Sequence, residues 1–216
     1  LFMAEVPGPT KDKLHAKVSY TAKALWGIYV VLTVAQTLLL WLGGMDLFDG
    51  ICHSFTTMAT GGFSTKNASI AYWTSPFIHY VFILFMFLAG VNFSLYFFFL
   101  KGSFAKVFKN EELKYYLFFV LGFSAVISLS VMYYTPDLMG GIEPTIRHGL
   151  FQVVSLLTTT GFATFDYMNW TQFTWMFLLV IMLFGGSAGS TSGGMKMVRI
   201  VLLLKNSYYE FKRLLH

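Results

Sequence analysis

The sequence predicts an all-α integral membrane protein of two tandem units running in parallel, each a helix, a re-entrant loop and a second helix. Three observations carry this. Apolar residues make up 56% of the chain and charged residues 12%, against about 25% charged in a soluble domain. Residues 24–43, 76–100, 115–134 and 173–204 are apolar and long enough to cross a hydrocarbon core of ~30 Å as helices, whereas the apolar stretches 47–58 and 145–157 reach only part of the way. Finally, residues recur at an offset of 99: Thr60 with Thr159, Gly62-Phe63 with Gly161-Phe162, Thr65 with Thr164, Phe85 with Phe184, and Ala89-Gly90 with Ala188-Gly189.

Orientation follows from charge. Of the 15 Lys and Arg residues, eleven fall in three blocks: Lys11, Lys13, Lys17 and Lys23; Lys101, Lys106, Lys109 and Lys114; and Lys205, Lys212 and Arg213. Basic residues collect on the cytoplasmic side. This makes residues 1–23 a cytoplasmic link, 101–114 a cytoplasmic loop and 206–216 a cytoplasmic tail. The first unit then occupies 24–100 with its re-entrant loop at 47–64, and the second 115–205 with its loop at 145–164. Both loops enter from the outside. The net charge of +5 thus reflects membrane orientation and no nucleic-acid partner. Trp26, Tyr72, Trp73, Tyr133, Tyr134, Tyr167, Trp170 and Trp175 fall near span ends, where aromatic belts meet the lipid headgroups. The lone cysteine, Cys52, rules out an intrachain disulfide framework and reads as a small buried apolar residue. The chain starts at Leu1 with no signal-peptide pattern and reads as an internal piece of a longer protein.

The two re-entrant turns carry the chemistry. A half-helix running inward places its C-terminal end, with roughly half a negative charge, near mid-membrane. Irregular backbone at that depth must be buried in protein or line a water-filled path. Thr60-Gly61-Gly62-Phe63 and Thr159-Thr160-Gly161-Phe162 hold no charged side chain, so backbone and hydroxyl oxygens are the available ligands. Such a set suits a monovalent cation better than Ca²⁺, which usually recruits carboxylates. The plainer reading is a loop joining an interfacial helix to a span. Asp46 and Asp49 at the first mouth and Glu143 at the second read either as N-terminal helix acids or as groups that concentrate cations.

Residues 185–194 hold five glycines in ten positions, Gly185, Gly186, Gly189, Gly193 and Gly194, and each costs about 1 kcal/mol relative to Ala inside a helix. The last span should therefore break there, just cytoplasmic of the second turn. Close helix packing through small residues is the other reading. Lys196 and Arg199 either snorkel to the interface or line an inner vestibule. The aligned stretch 89–94 of the first unit is expected to be only mildly broken.

Three strings, residues 58–65, 158–164 and 185–196, make the chain resemble the TrkH/KtrB/HKT superfamily of potassium transporters, and bacterial TrkH most; residues 5–10 resemble the link before that family's second repeat. The resemblance implies four helix–pore loop–helix repeats around one pore, of which this chain would be the second and third. It implies filter glycines at Gly62 and Gly161. The remaining filter positions are Thr60, Gly61, Phe63, Thr159, Thr160 and Phe162, with K⁺ as the transported ion and no organic cofactor. Residues 185–194 with Lys196 would be an intramembrane gating loop. A bacterial inner-membrane location, the missing first and fourth repeats, a homodimer and a cytosolic nucleotide-sensing regulator of the TrkA type are further implications. The rival readings are an ion-coupled secondary transporter on the same loops, a purely structural bundle, and an intramembrane enzyme. The last finds no support, since no spacing of His53, His79 or His148 sets a base beside Cys52 or a serine.

Overall fold

The computed structural model describes residues 18–135 and 138–215; the string at 5–10 and Lys11, Lys13 and Lys17 lie outside them. The order is α1 (Val18–Leu42), α2 (Leu47–Met58), a 3₁₀ turn (Ser69–Tyr72), α3 (Pro76–Ala89), α4 (Phe93–Leu100), α5 (Phe104–Lys109), α6 (Glu111–Tyr134), α7 (Ile142–Leu157), a second 3₁₀ turn (Tyr167–Asn169), α8 (Gln172–Ile181) and α9 (Met197–Leu215). The described residues contain no strand, only an isolated bridge between Phe184 and Met195.

Local chemistry sets the helix starts. Asp46 caps α2 by accepting the Phe48 amide at 3.1 Å, and Pro76 occupies the first turn of α3, where its missing N–H costs nothing. Asn110 caps α6 through the Leu113 amide at 2.8 Å. The short helices α2 and α7 match the two predicted half-helices, α7 starting three residues earlier than the sequence suggests.

Among the described residues, only α1 and α6 are single helices long and apolar enough to cross a membrane. The stretch 76–100, expected as one mildly broken span, is bent by 96° between α3 and α4. Two local features explain this. Asn92 accepts the Ser94 amide at 2.9 Å and so starts a new helix, while Gly90 is wedged against the Tyr116 hydroxyl and the Thr158 methyl. The last span breaks where predicted but over a longer reach, with regular helix only up to Ile181 and again from Met197.

The two breaks meet. Ser187 N donates to Gly90 O at 2.9 Å, and Phe93 N donates to Gly189 O at 3.1 Å. Around them α1 packs on α2, α6 packs on α7, and α3 joins the units by packing on α7. The short helices supply many of the fully buried side chains, His53, Ser54, Thr57 and Met58 in α2 and Phe151, Val153, Val154 and Leu157 in α7, alongside Phe82 of α3 and Tyr116 of α6. The outer faces of α1 and α6 leave Trp26, Val31, Phe118 and Leu121 exposed, as expected of surfaces covered by lipid or further protein.

Gly90 gives a direct test of the wedge. Gly90→Ala should destabilise the membrane-inserted protein by about 1–3 kcal/mol through overpacking, and adding Tyr116→Phe should recover part of it, measured by thermal unfolding in detergent. No loss in the single variant would refute the packing account.

Candidate functional site: two turns over a glycine loop

α2 and α7 end in turns built to the same plan. Beyond α2, Thr60 and Gly62 take φ values of +51° and +64°; beyond α7, Thr159 and Gly161 take +58° and +89°. Positive φ is unusual for any residue with a Cβ and a genuine outlier for a β-branched one, so both threonines sit in conformations that the surroundings must enforce.

The enforcing bonds correspond pair by pair at the offset of 99. Gly61 N and Gly62 N converge on Thr56 O at 2.7 and 3.4 Å, as Thr160 N and Gly161 N converge on Ser155 O at 2.8 and 3.2 Å. The Thr56 hydroxyl donates to Phe63 O at 2.9 Å, and the Ser155 hydroxyl to Phe162 O at 2.6 Å. Asp49 accepts from the Thr65 hydroxyl at 2.7 Å; His148 Nδ1 lies 2.8 Å from the Thr164 hydroxyl. Each half-helix therefore grips its outgoing strand at two levels.

The two turns adjoin. A Cβ on Gly62 would run into the Thr160 carbonyl, so only glycine lets the backbones approach this closely. Farther out, Ala71 N donates to Ala163 O at 3.0 Å and Ala163 N to the Ser69 hydroxyl at 3.3 Å. Among the described residues, no hydrogen bond reaches the carbonyl oxygens of Thr60, Gly61, Gly62, Thr159, Thr160 or Gly161. Thr60 and Thr160 are buried, where carbonyls are rarely left that way; Gly62 and Thr159 are half-buried, and Gly61 and Gly161 are exposed. The Phe63 and Phe162 carbonyls, expected in the same set, instead accept hydroxyls from the half-helices.

The phenylalanine rings differ sharply. Phe162 is fully buried against His53 and Phe82 of the other unit, with ring centroids 5.8 and 5.3 Å away, whereas Phe63 is 76% exposed.

The glycine run closes directly on these turns. The Thr60 hydroxyl donates to Thr191 O at 2.9 Å, and Gly193 N donates to the Thr159 hydroxyl at 2.6 Å. Gly185 N bonds Met195 O at 2.9 Å, Gly186 N bonds the Ser192 hydroxyl at 2.9 Å, and Lys196 Nζ bonds Ser192 O. Gly185 and Gly186 are buried, Gly189 is half-buried with φ +74°, and Gly193 and Gly194 are exposed, Gly194 with φ +68°.

The acids at the two mouths are internally paired. Asp49 lies 3.1 Å from Lys66; the Thr65 hydrogen bond, then Lys66, hold its carboxyl below the usual range. Glu143 pairs with Arg147 at 2.8 Å and accepts from the Tyr80 hydroxyl at 3.0 Å; the Arg147 hydrogen bond lowers its carboxyl. Arg147 is buried and also contacts His79 Nδ1. These partnerships favour the helix-terminal reading over free cation attractors.

One relationship was not visible in the sequence. His53 Nε2 lies 2.9 Å from the Ser64 hydroxyl, a Ser–His pair that the spacing did not suggest. The other ring nitrogen meets Asp49 O at 2.6 Å, and Ser64 also accepts the Lys66 amide at 3.1 Å, so the pair braces the outgoing strand. Cys52 is half-buried, less enclosed than its composition-based reading implied.

A family model named TrkH and described as a cation transport protein matches residues 3–216. The Trk system potassium uptake protein TrkH of Escherichia coli K12 is 43% identical over 217 residues, covering all of this chain and 45% of that protein. Trk system potassium uptake protein TrkG of the same strain is 37% identical over 218 residues, covering all of this chain and 44% of its own length. The crystal structure of the potassium transporter TrkH from Vibrio parahaemolyticus superimposes with a TM-score of 0.88 at 38% identity, covering 94% of this chain and 44% of that one. The chain thus spans less than half the length of these relatives.

The turns predict unequal tolerance at the two paired glycines. Gly161→Ala meets open space and should cost only the left-handed backbone, about 1–2 kcal/mol. Gly62→Ala must also displace the Thr160 carbonyl and should lose more. Thermal unfolding of the two variants side by side gives the order; equal losses would contradict the close approach.

Proposed function

Because the chain belongs to the TrkH family of cation transport proteins, we infer that it supplies two adjacent quarters of a potassium-conducting pore, the second and third of four helix–pore loop–helix repeats. The observation that carries this reading is the cluster of six uncommitted carbonyls at the junction of the two turns. For those on buried Thr60 and Thr160 a carbonyl without a donor is costly, and replacing part of an ion's hydration shell is a use that offsets it. The half-helices contribute the negative ends of their dipoles to the same region.

The unequal phenylalanines support a ring larger than this chain. Phe162 seats against the core of the unit that precedes it. By the same arrangement Phe63 would seat against a unit preceding the first, here supplied by a missing repeat. The TrkH proteins this chain is similar to are potassium uptake proteins, and K⁺ is accordingly the cargo proposed here.

Permeation is passive and channel-like, from outside to cytoplasm across a bacterial inner membrane, with the basic loops cytoplasmic. The glycine loop, tied to both Thr60 and Thr159, is the gate on the cytoplasmic side of the filter. Whole-protein partners carried with this reading are a homodimer mate and a TrkA-type regulator.

The test uses the full-length protein in proteoliposomes. Gly62→Ser or Gly161→Ser should lower the ratio of Rb⁺ to Na⁺ uptake, and deletion of residues 185–194 should raise basal flux. Unchanged selectivity in both serine variants would remove the filter assignment, and uptake that needs an imposed Na⁺ or H⁺ gradient would replace passive permeation with coupling.

A further inference from the structure

The glycine loop has little to hold it by packing. Within residues 185–194 the only apolar side chain is that of Ala188, so polar tethers must fix the loop. Most of them join neutral groups: backbone bonds between its own two arms and to Gly90 and Phe93, the Ser190 hydroxyl to Ser187 O and the Ser192 hydroxyl, and the bonds to the Thr60 and Thr159 hydroxyls, beside the Lys196 contact to Ser192 O.

One tether is of a different kind. Glu112, the second residue of α6, is half-buried, and its Oε1 accepts the Ala188 amide at 2.7 Å and the Val198 amide at 3.2 Å. These amides lie on opposite sides of the loop's centre, ten positions apart in sequence. Hydrogen bonds to an ionised acceptor are roughly twice as strong as neutral ones. The Val198 amide is also one of the orphan donors in the first turn of the 19-residue helix α9, where an anion gains from the helix dipole. A single carboxylate thereby caps α9 and pins the loop from which α9 emerges.

The neighbouring Glu111 pairs with Lys205 of α9 at 2.6 Å, but both groups are exposed, and such pairs contribute little. Glu111 aligns α9 along α6; Glu112 is the contact that reaches the loop.

We propose that Glu112 is the positioning residue that latches the glycine loop shut, by holding the amides of Ala188 and Val198 so that the loop stays bonded beneath Thr60 and Thr159. This rests on the reading of that loop as the gate. Displacement of α9 along its axis would break the longer Val198 bond first and leave the loop held to Glu112 by the Ala188 amide alone. The N-terminal end of α6 is thereby the fixed point against which movement of α9 opens the pore.

The experiment measures basal Rb⁺ flux and the Rb⁺ to Na⁺ ratio in proteoliposomes of full-length protein carrying Glu112→Ala, Glu112→Gln or the deletion of residues 185–194. Glu112→Ala should raise basal flux about tenfold, the scale set by losing charge-assisted hydrogen bonds, with the ion ratio unchanged. Glu112→Gln keeps an acceptor oxygen and should fall between wild type and Glu112→Ala. If the deletion raises flux and Glu112→Ala does not, the loop is the gate but Glu112 is not its latch. If neither raises flux, the gate reading fails and the latch with it. An altered ion ratio in Glu112→Ala, or flux in Glu112→Gln as high as in Glu112→Ala, would also overturn the proposal. Should Glu112→Ala not assemble, Glu112→Asp decides: its carboxylate is one methylene short of spanning both amides, so wild-type flux would refute the latch and raised flux would support it.

Discussion

A peptide carbonyl seeks a hydrogen-bond donor, water or a cation, and much of this structure can be understood as leaving six of them without a protein donor, on residues that run from buried Thr60 and Thr160 to exposed Gly61 and Gly161. Donors are consumed in a fixed pattern around the two turns. The amides of Gly61, Gly62, Thr160 and Gly161 fold back onto Thr56 O and Ser155 O. The hydroxyls of Thr56 and Ser155 then fasten the next carbonyl on each strand. The left-handed Thr60 and Thr159 are the local cost of this arrangement, borne by bonds above and below them.

The glycine loop fits the same logic from the other side. It touches the turns only through the hydroxyls of Thr60 and Thr159, leaving their carbonyls untouched. A plug that bonded the carbonyls themselves would compete with an ion for the same oxygens. One that bonds the hydroxyls can leave without changing the shape of the turn. Under the proposed reading, closing and selecting would use different groups: amides and hydroxyls for the loop, carbonyls for the ion.

Much of this was legible in the residues. The two short apolar segments, the uncharged turns and the offset of 99 located α2, α7 and the turns nearly to the residue, because length, charge and glycine content are local properties. The bend at Gly90–Asn92 was under-read because one glycine and one asparagine weigh little in a hydropathy pattern. Its sharpness comes from Asn92 capping a new helix and from Tyr116 and Thr158 leaving no room at Gly90. The extent of the second break was underestimated for a related reason: apolar residues 182–184 fit a helix by composition, but Phe184 is drawn into a bridge with Met195. The pairing of His53 with Ser64 and of Glu112 with the glycine loop left no sequence signal, since neither spacing matches a recurring motif.

The sequence by itself determined that the chain is helical and lipid-facing, where it dips and turns, and which glycines permit the turns, since each of these depends on the chemistry of a few consecutive residues. Only the tertiary structure decided that the two turns touch through Gly62 and Thr160, that Phe162 finds a pocket while Phe63 does not, and that the glycine loop seats under both threonines. Those outcomes depend on contacts between residues 34 to 131 positions apart, whose geometry is set by how the helices pack and not by any local pattern.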